Sequence, residues 1–186
     1  MATGFSTVET AVQPTDDVLY EMVDGQFVEL PAMGTRQEIT EGVLHVRLGH
    51  FVDSNKLGRA VMETLFDLTA QVGRKRRPDV AFVSQQRWPL SQTIPDTDGW
   101  PVVPNLAVEV VSRSNSWEEV MDKLQEYFEA GVERVWVVSP THQQIHVFQT
   151  PTSVRILTPQ DDLTDEQLLP GFRLPLRELF EHVSDE

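Results

Sequence analysis

The apolar positions of the chain change period several times, and each change marks an element. "VLYEMVDGQFVEL" sets Asp24-Gly25 between two apolar segments, a dipeptide that suits a type I′ turn and predicts a β-hairpin. Pro31 and Gly34 punctuate the chain after it. From Arg36 to Val52 the period is helical. Ile39, Val43, Val46 and His50 follow one face and Leu44, Leu48 and Phe51 another, so this helix is expected to be covered broadly. From Gly58 to Trp88, "RAVMETLFDLTAQV" and "PDVAFVSQQRW" hold β-compatible runs. Pro89, Pro95, Gly99, Pro101 and Pro104 make residues 89–104 a surface loop. "NLAVEVVS" is the short apolar run of a buried strand.

The clearest helix follows. Ser116 and Glu119 form an S-x-x-E capping box. Trp117, Val120, Met121, Leu124, Tyr127 and Phe128 recur at spacings of three and four, and Gly131 supplies the stop. Ser112-Arg113-Ser114-Asn115 leads into it and is read as capping sequence. "ERVWVVSP" and "QQIHVFQT" predict two strands joined by a Pro-Thr-His turn, "SVRILT" adds another, and "LLPGFRLPLRELF" reads as strand, turn and a final helical turn. Hairpin, helix, strands, helix, strands is the order of a mixed sheet with a few covering helices, an α/β or α+β domain. It is expected to run from residue 18 to 183 after a poorly ordered polar lead-in over residues 1–17.

Composition narrows the chemistry. The 186 residues suffice for one ordinary domain with a real core. No apolar run approaches the ~18 residues that span a bilayer, and the N-terminus has neither the basic nor the apolar region of a secretory signal. A cytoplasmic address is the expectation by elimination. There is no cysteine, which excludes disulfides, thiolate catalysis and Cys-ligated zinc. No H-E-x-x-H, G-x-S-x-G or Gly-rich phosphate loop occurs, and His45 and His50 lie on different sides of their helix. With 15 basic against 29 acidic residues the net charge is −14. Such a chain repels nucleic acid overall, so any contact must be local or assisted by a divalent cation. The obvious local place is the run Arg74, Lys75, Arg76 and Arg77, although the plainer reading of that run is a solvated loop before a strand.

Side chains alternate across a strand. Asp79, Ala81 and Val83 therefore share one face, and Ala107, Glu109 and Val111 share another strand's face. Glu109 sits among apolar neighbours with no compensating charge nearby in sequence, a costly position unless it is paired or binds a metal. Lys123 borders the apolar stripe of the second helix, close to Tyr127. A right-handed connection would lay that helix over the sheet and bring Lys123 to the carboxylates. Two carboxylates in one site repel, and a divalent cation removes that conflict while acidifying a bound water. Oxygen-only ligands suit Mg²⁺ or Mn²⁺. A lysine beside them can position water or stabilise charge on a phosphorus oxygen.

"PDVAFV", then "LAVEVVS", then "DKLQEYFEAGVERVWVVSP" together resemble the Uma-two family of restriction-endonuclease-like proteins, within the PD-(D/E)XK nuclease superfamily. "YEMVDGQFVEL" and "LPGFRLPLRELF" resemble its N-terminal hairpin and its tail, so the likeness spans Leu19 to Phe180. It implies a restriction-endonuclease-like core, a mixed sheet flanked by helices. It also implies metal-dependent hydrolysis of phosphodiesters, with DNA as the expected substrate. By position, Pro78-Asp79 matches the PD pair and Glu109 the second acid. The usual lysine two residues later is absent, because that position is Val111; Lys123 resembles a migrated lysine. The Val110 carbonyl is an expected extra ligand, and Glu38 or Glu41 from the first helix could complete the site. Arg74 to Arg77 would then form a positive rim for phosphate.

Plainer roles stand beside these. Asp79 could be a strand-start aspartate, Glu109 half of a buried ion pair, Lys123 an edge lysine, and Glu38 and Glu41 an acidic helix surface. Trp117 and Trp136 read as core. Three functions compete: an endonuclease acting on DNA, for which a homodimer is expected because two sites cut two strands; an inactive nuclease-fold binding module; and a hydrolase of small phosphoesters.

Overall fold

The structure is a computed structural model that describes residues 18–111, 115–181 and 183. The expectations about residues 1–17, Ser112 to Ser114 and His182 lie outside the described residues. The predicted hairpin is present. β1 (Tyr20–Val23) pairs antiparallel with β2 (Gln26–Glu29) around Asp24 and Gly25, at φ of 52° and 75°. Both residues adopt the left-handed conformation that a type I′ turn demands. These strands join β5 (Arg74–Arg76) and β4 (Phe66–Leu68) in a sheet of order β2-β1-β5-β4. The basic run is thus a strand with Lys75 and Arg76 buried, rather than a solvated loop.

The larger sheet uses β3 (Gly58–Met62), β6 (Val80–Ser84), β7 (Leu106–Val110), β8 (Arg134–Ser139), β9 (Gln144–Thr150) and β10 (Ser153–Leu157), in the order β10-β9-β8-β7-β6-β3. Among the described strands of this sheet only the β7–β8 pair is parallel, and α3 (Trp117–Ala130) makes the crossover between them. α1 (Thr35–Ser54) covers the other face. Alternation sorts the core accordingly. Val80, Phe82, Leu106, Val108 and Trp136 pack with Leu44, Leu48 and Val52 of α1, while Ala81, Val83, Ala107, Val135 and Val137 pack with Leu124 and Tyr127 of α3. α2 (Thr69–Val72) interrupts the stretch read as continuous strand. β11 (Asp162–Asp165), which the apolar pattern does not announce, pairs with β12 (Leu169–Pro175) ahead of α4 (Leu176–Phe180).

Two expectations about packing are corrected. α1 is covered on one side only: Leu44 and Leu48 are buried, whereas Val46 is 65% exposed, because a single sheet face lies beneath the helix. Trp136 is core, but Trp117 is 61% exposed at the first position of α3, where the helix has not yet reached the sheet. The capping box is formed, with Ser116 Oγ accepting from the Glu119 N–H at 3.1 Å and Glu119 Oε2 accepting from the Ser116 N–H at 2.9 Å. Gly131 closes the helix at φ 99°. Among the described residues no helix is long and apolar enough to cross a membrane.

Candidate active site

The β6–β7 register carries the two acids together. Ala81 opposes Ala107 and Val80 opposes Val108 in an antiparallel ladder, so one step outward Asp79 comes opposite Glu109, on the face that α3 covers. Asp79 Oδ2 accepts the Val110 N–H at 2.5 Å, which fixes the aspartate against the end of β7. Glu109 is held by α3. Tyr127 Oη donates to its Oε1 at 2.6 Å and Lys123 Nζ to its Oε2 at 3.1 Å. Lys123 and Tyr127 are one helical turn apart and descend on the same carboxylate. Lys123 also stands 3.1 Å from Glu21 Oε1 of the hairpin.

Asp79, Glu109 and Lys123 line one cavity of about 110 Å³. Asp79, Glu109, Glu119, Lys123, Arg77 and Glu63 form its charged wall, and Leu19, Pro31, Met33, Val111 and Val120 form part of its apolar wall. Gln37, in the first turn of α1, points its Nε2 at the Val110 carbonyl at 3.5 Å.

Among the described residues the cavity carries more acidic than basic side chains. Burial raises the Asp79 carboxyl well above its ordinary range, and the neighbouring Glu109 adds to the rise against the Val110 N–H. Burial likewise raises Glu109, with Lys123 opposing. Burial works against the Lys123 ammonium, but Glu109 and Glu21 outweigh it and hold the amine above its usual value. Burial and Glu109 push the Tyr127 phenol up. Glu21 also meets the cost of burial, but Lys123 and Arg76 bring it below the usual carboxylate range. Glu41, on α1, is 2% exposed and its Oε1 has no hydrogen-bond partner. Burial, then Glu63 and Glu38, push its carboxyl up to about 7. Glu38, Glu41 and Glu63 line a neighbouring acidic hollow.

The basic run is placed elsewhere than at a rim. Arg74 pairs with Asp24 and Glu126, Lys75 with Asp98, and Arg76 with Glu21 and Glu126. None of the three lines the cavity. Arg77 does, while its guanidinium donates to the Tyr20 and Glu63 carbonyls and lies over the Tyr20 ring. An acidic protein crowds cations here because β5 sits between Glu21 of the hairpin and Glu126 of α3, and each carboxylate needs a partner.

The fit of a divalent cation can be judged from the donors. Among the described residues no three Asp, Glu or His side chains are gathered tightly enough to hold an ion as they stand. The chemistry of the set nevertheless suits a hard cation: all donors are oxygens, burial and then the neighbouring Glu109 raise Asp79, and a buried Glu41 oxygen has no hydrogen-bond partner. Glu109 is the tightest constraint, because both its oxygens are engaged.

Sequence reasoning missed Glu21, Glu63 and Gln37, which reach the site from the hairpin, the turn after β3 and α1. Tyr127 carried a usable signal, its spacing of four from Lys123 on one helix face.

The model of the Uma2 family, described as "Putative restriction endonuclease", matches residues 8–177. The chain belongs to the Uma2 family. Among solved structures, it is similar to the crystal structure of a putative nuclease belonging to DUF820 from Anabaena variabilis. The TM-score is 0.78 at 15% identity, covering 92% of this chain and 95% of that one. That likeness shows the fold, a mixed sheet flanked by helices with an N-terminal hairpin. No functionally curated protein matches significantly. In this Uma2 chain position 111 is a valine, and the Lys123 ammonium of α3 donates to Glu109.

Proposed function

We propose that this protein is a metal-dependent endonuclease that hydrolyses phosphodiester bonds in DNA, in the cytoplasm and as a homodimer. The observation that carries this reading is the convergence of Asp79 and Glu109 from neighbouring strands on one cavity, with Lys123 bound to Glu109. The family description supports it. Asp79, Glu109 and the Val110 carbonyl would hold Mg²⁺ or Mn²⁺, with Glu41 or Glu38 as a further carboxylate. When bound, the cation supplies charge neutralisation and an acidified water. Lys123 presents a fixed ammonium to the developing charge on the phosphorus oxygens. Tyr127 holds Glu109 in its rotamer, and the Val110 N–H holds Asp79. Arg77 is the one member of the basic run placed to meet a phosphate entering the cavity. Calorimetric titration with Mn²⁺ and cleavage of supercoiled plasmid test the reading together. Binding and nicking by the wild type, both lost in Asp79→Ala and Glu109→Ala, are the expected results. Equal Mn²⁺ binding after Glu109→Ala discards the site.

One observation favours a second reading, a nuclease fold serving as a binding module: both oxygens of Glu109 are already engaged by Lys123 and Tyr127. Plasmid nicking that depends on Asp79 rules it out.

A further inference from the structure

Lys123 does not rest on Glu109 alone. Its Nζ is 3.1 Å from Glu109 Oε2 and also 3.1 Å from Glu21 Oε1. Glu21 belongs to β1, in the smaller sheet, and is 2% exposed. It is fixed independently of the lysine. Its Oε2 accepts from Arg76 Nη1 at 2.7 Å, and its Oε1 accepts from the Arg77 backbone N–H at 3.0 Å. Arg76 in turn reaches Glu126, one turn beyond Lys123 on α3. Hairpin, β5 and α3 are thereby tied in one chain of alternating charges that ends at the cavity.

The geometry points to Glu21 as a positioning residue that anchors Lys123 from the hairpin, so that Glu109 can turn an oxygen to a cation without releasing the amine. This rests on the reading of Lys123 as the group facing the substrate phosphate. The physical reason is the cost of a buried charge that loses its partner. If Glu109 were the sole anchor, engaging it elsewhere would leave the Lys123 ammonium uncompensated in a closed site. Glu21, held by two donors of β5, keeps both its own orientation and the lysine's. It also eases the double demand on Glu109, whose oxygens both already have partners, to be a ligand and an ion-pair partner at once. The hairpin becomes a structural part of the site, although none of its carboxylates faces the cavity.

The chain has three lysines, Lys56, Lys75 and Lys123, which makes the anchor directly visible. In the full chain with isotope-labelled lysine, a half-buried, doubly paired Lys123 gives a slowly exchanging ammonium signal, assigned by its loss in Lys123→Arg. Lys75, held by Asp98 at 2.9 Å, gives a second signal that reports the fold. Glu21→Gln is expected to abolish or displace the Lys123 signal while Lys75 keeps its own. An unchanged Lys123 signal overturns the proposal. Where Glu21→Gln loses both signals by unfolding, Glu109→Gln decides. Persistence of Lys123 there, on Glu21 alone, supports the anchor, and its loss with Lys75 retained refutes it. In Mn²⁺-dependent plasmid cleavage, Glu21→Gln should lower kcat about 10- to 100-fold with little change in KM; wild-type kcat is the contrary result. A wild type that never cuts DNA defeats the nuclease reading and leaves the spectra to judge the anchor.

Discussion

Asp79 carries its carboxylate to a position opposite Glu109, where burial and the neighbouring charge favour its protonated form. A carboxyl raised in the folded state stabilises the fold below its ordinary titration range, and that contribution is lost as pH rises through the raised value. Asp79→Asn keeps an acceptor for the Val110 N–H and removes the charge. Without metal, it should be more stable than the wild type by on the order of 1–2 kcal/mol at pH 8, and equal to it near pH 3. Thermal melts at the two pH values check this, and a variant that is less stable at pH 8 contradicts the buried-charge account. Glu41 follows the same sign in a defined window. Its carboxyl lies at about 7 in the fold, so the advantage of Glu41→Gln should open above the ordinary range of 4.5 and be complete past pH 7. Its ceiling is about 3 kcal/mol; a pH-independent difference would show that Glu41 is not perturbed. At this scale the sequence made Asp79, Glu109 and Lys123 legible, because strand alternation and helix periodicity say which way a side chain faces. It could not show Glu21, since the pairing of β1 with β5 is a contact across more than fifty residues that no local pattern encodes.

Two elements packed around the site each depend on a local device. α3 starts at the Ser116–Glu119 capping box and brings Lys123 and Tyr127 down on Glu109. Ser116→Ala should cost about 1 kcal/mol, read as a shift in denaturant midpoint with an unchanged slope; no shift would mean that the cap is idle. β3 lies against β6 so closely at Gly58 that an added Cβ would stand 2.1 Å from the Val83 carbonyl oxygen and 2.7 Å from Ser84 Cα. Both are backbone atoms and cannot swing aside. Gly58→Ala is therefore expected to destabilise by more than about 2 kcal/mol, and a near-neutral result would show that the β3–β6 edge can part without harm. The caps, the hairpin turn and most strands were readable because each has its own residue chemistry. β5 was not, because a strand of three consecutive cations looks like a solvated run until its partners are known. Those partners, Glu21 and Glu126, come from a hairpin and a helix far along the chain.

Charge sets the terms for any polyanionic substrate of the whole molecule. The net −14 was plain from composition; what composition hid is that Arg74, Lys75 and Arg76 are already bound to carboxylates. Among the described residues, Arg77 and Lys123 are the cations that line the cavity. Affinity for DNA falls with salt in proportion to the phosphates neutralised, by about 0.9 in log–log slope for each. Two such contacts predict a slope of about −2, against about −5 to −9 for a protein with six to ten contacts. In EDTA, binding of a labelled duplex should be weaker than the ~100 μM of ordinary non-specific association. It should appear when Ca²⁺, a cation that occupies oxygen sites, is added. Fluorescence anisotropy across a salt series measures both quantities. Tight binding in EDTA, or a slope as steep as −6, would mean that a basic surface outside the cavity receives the nucleic acid. The cation at Asp79 and Glu109 would then have no part in recruiting it.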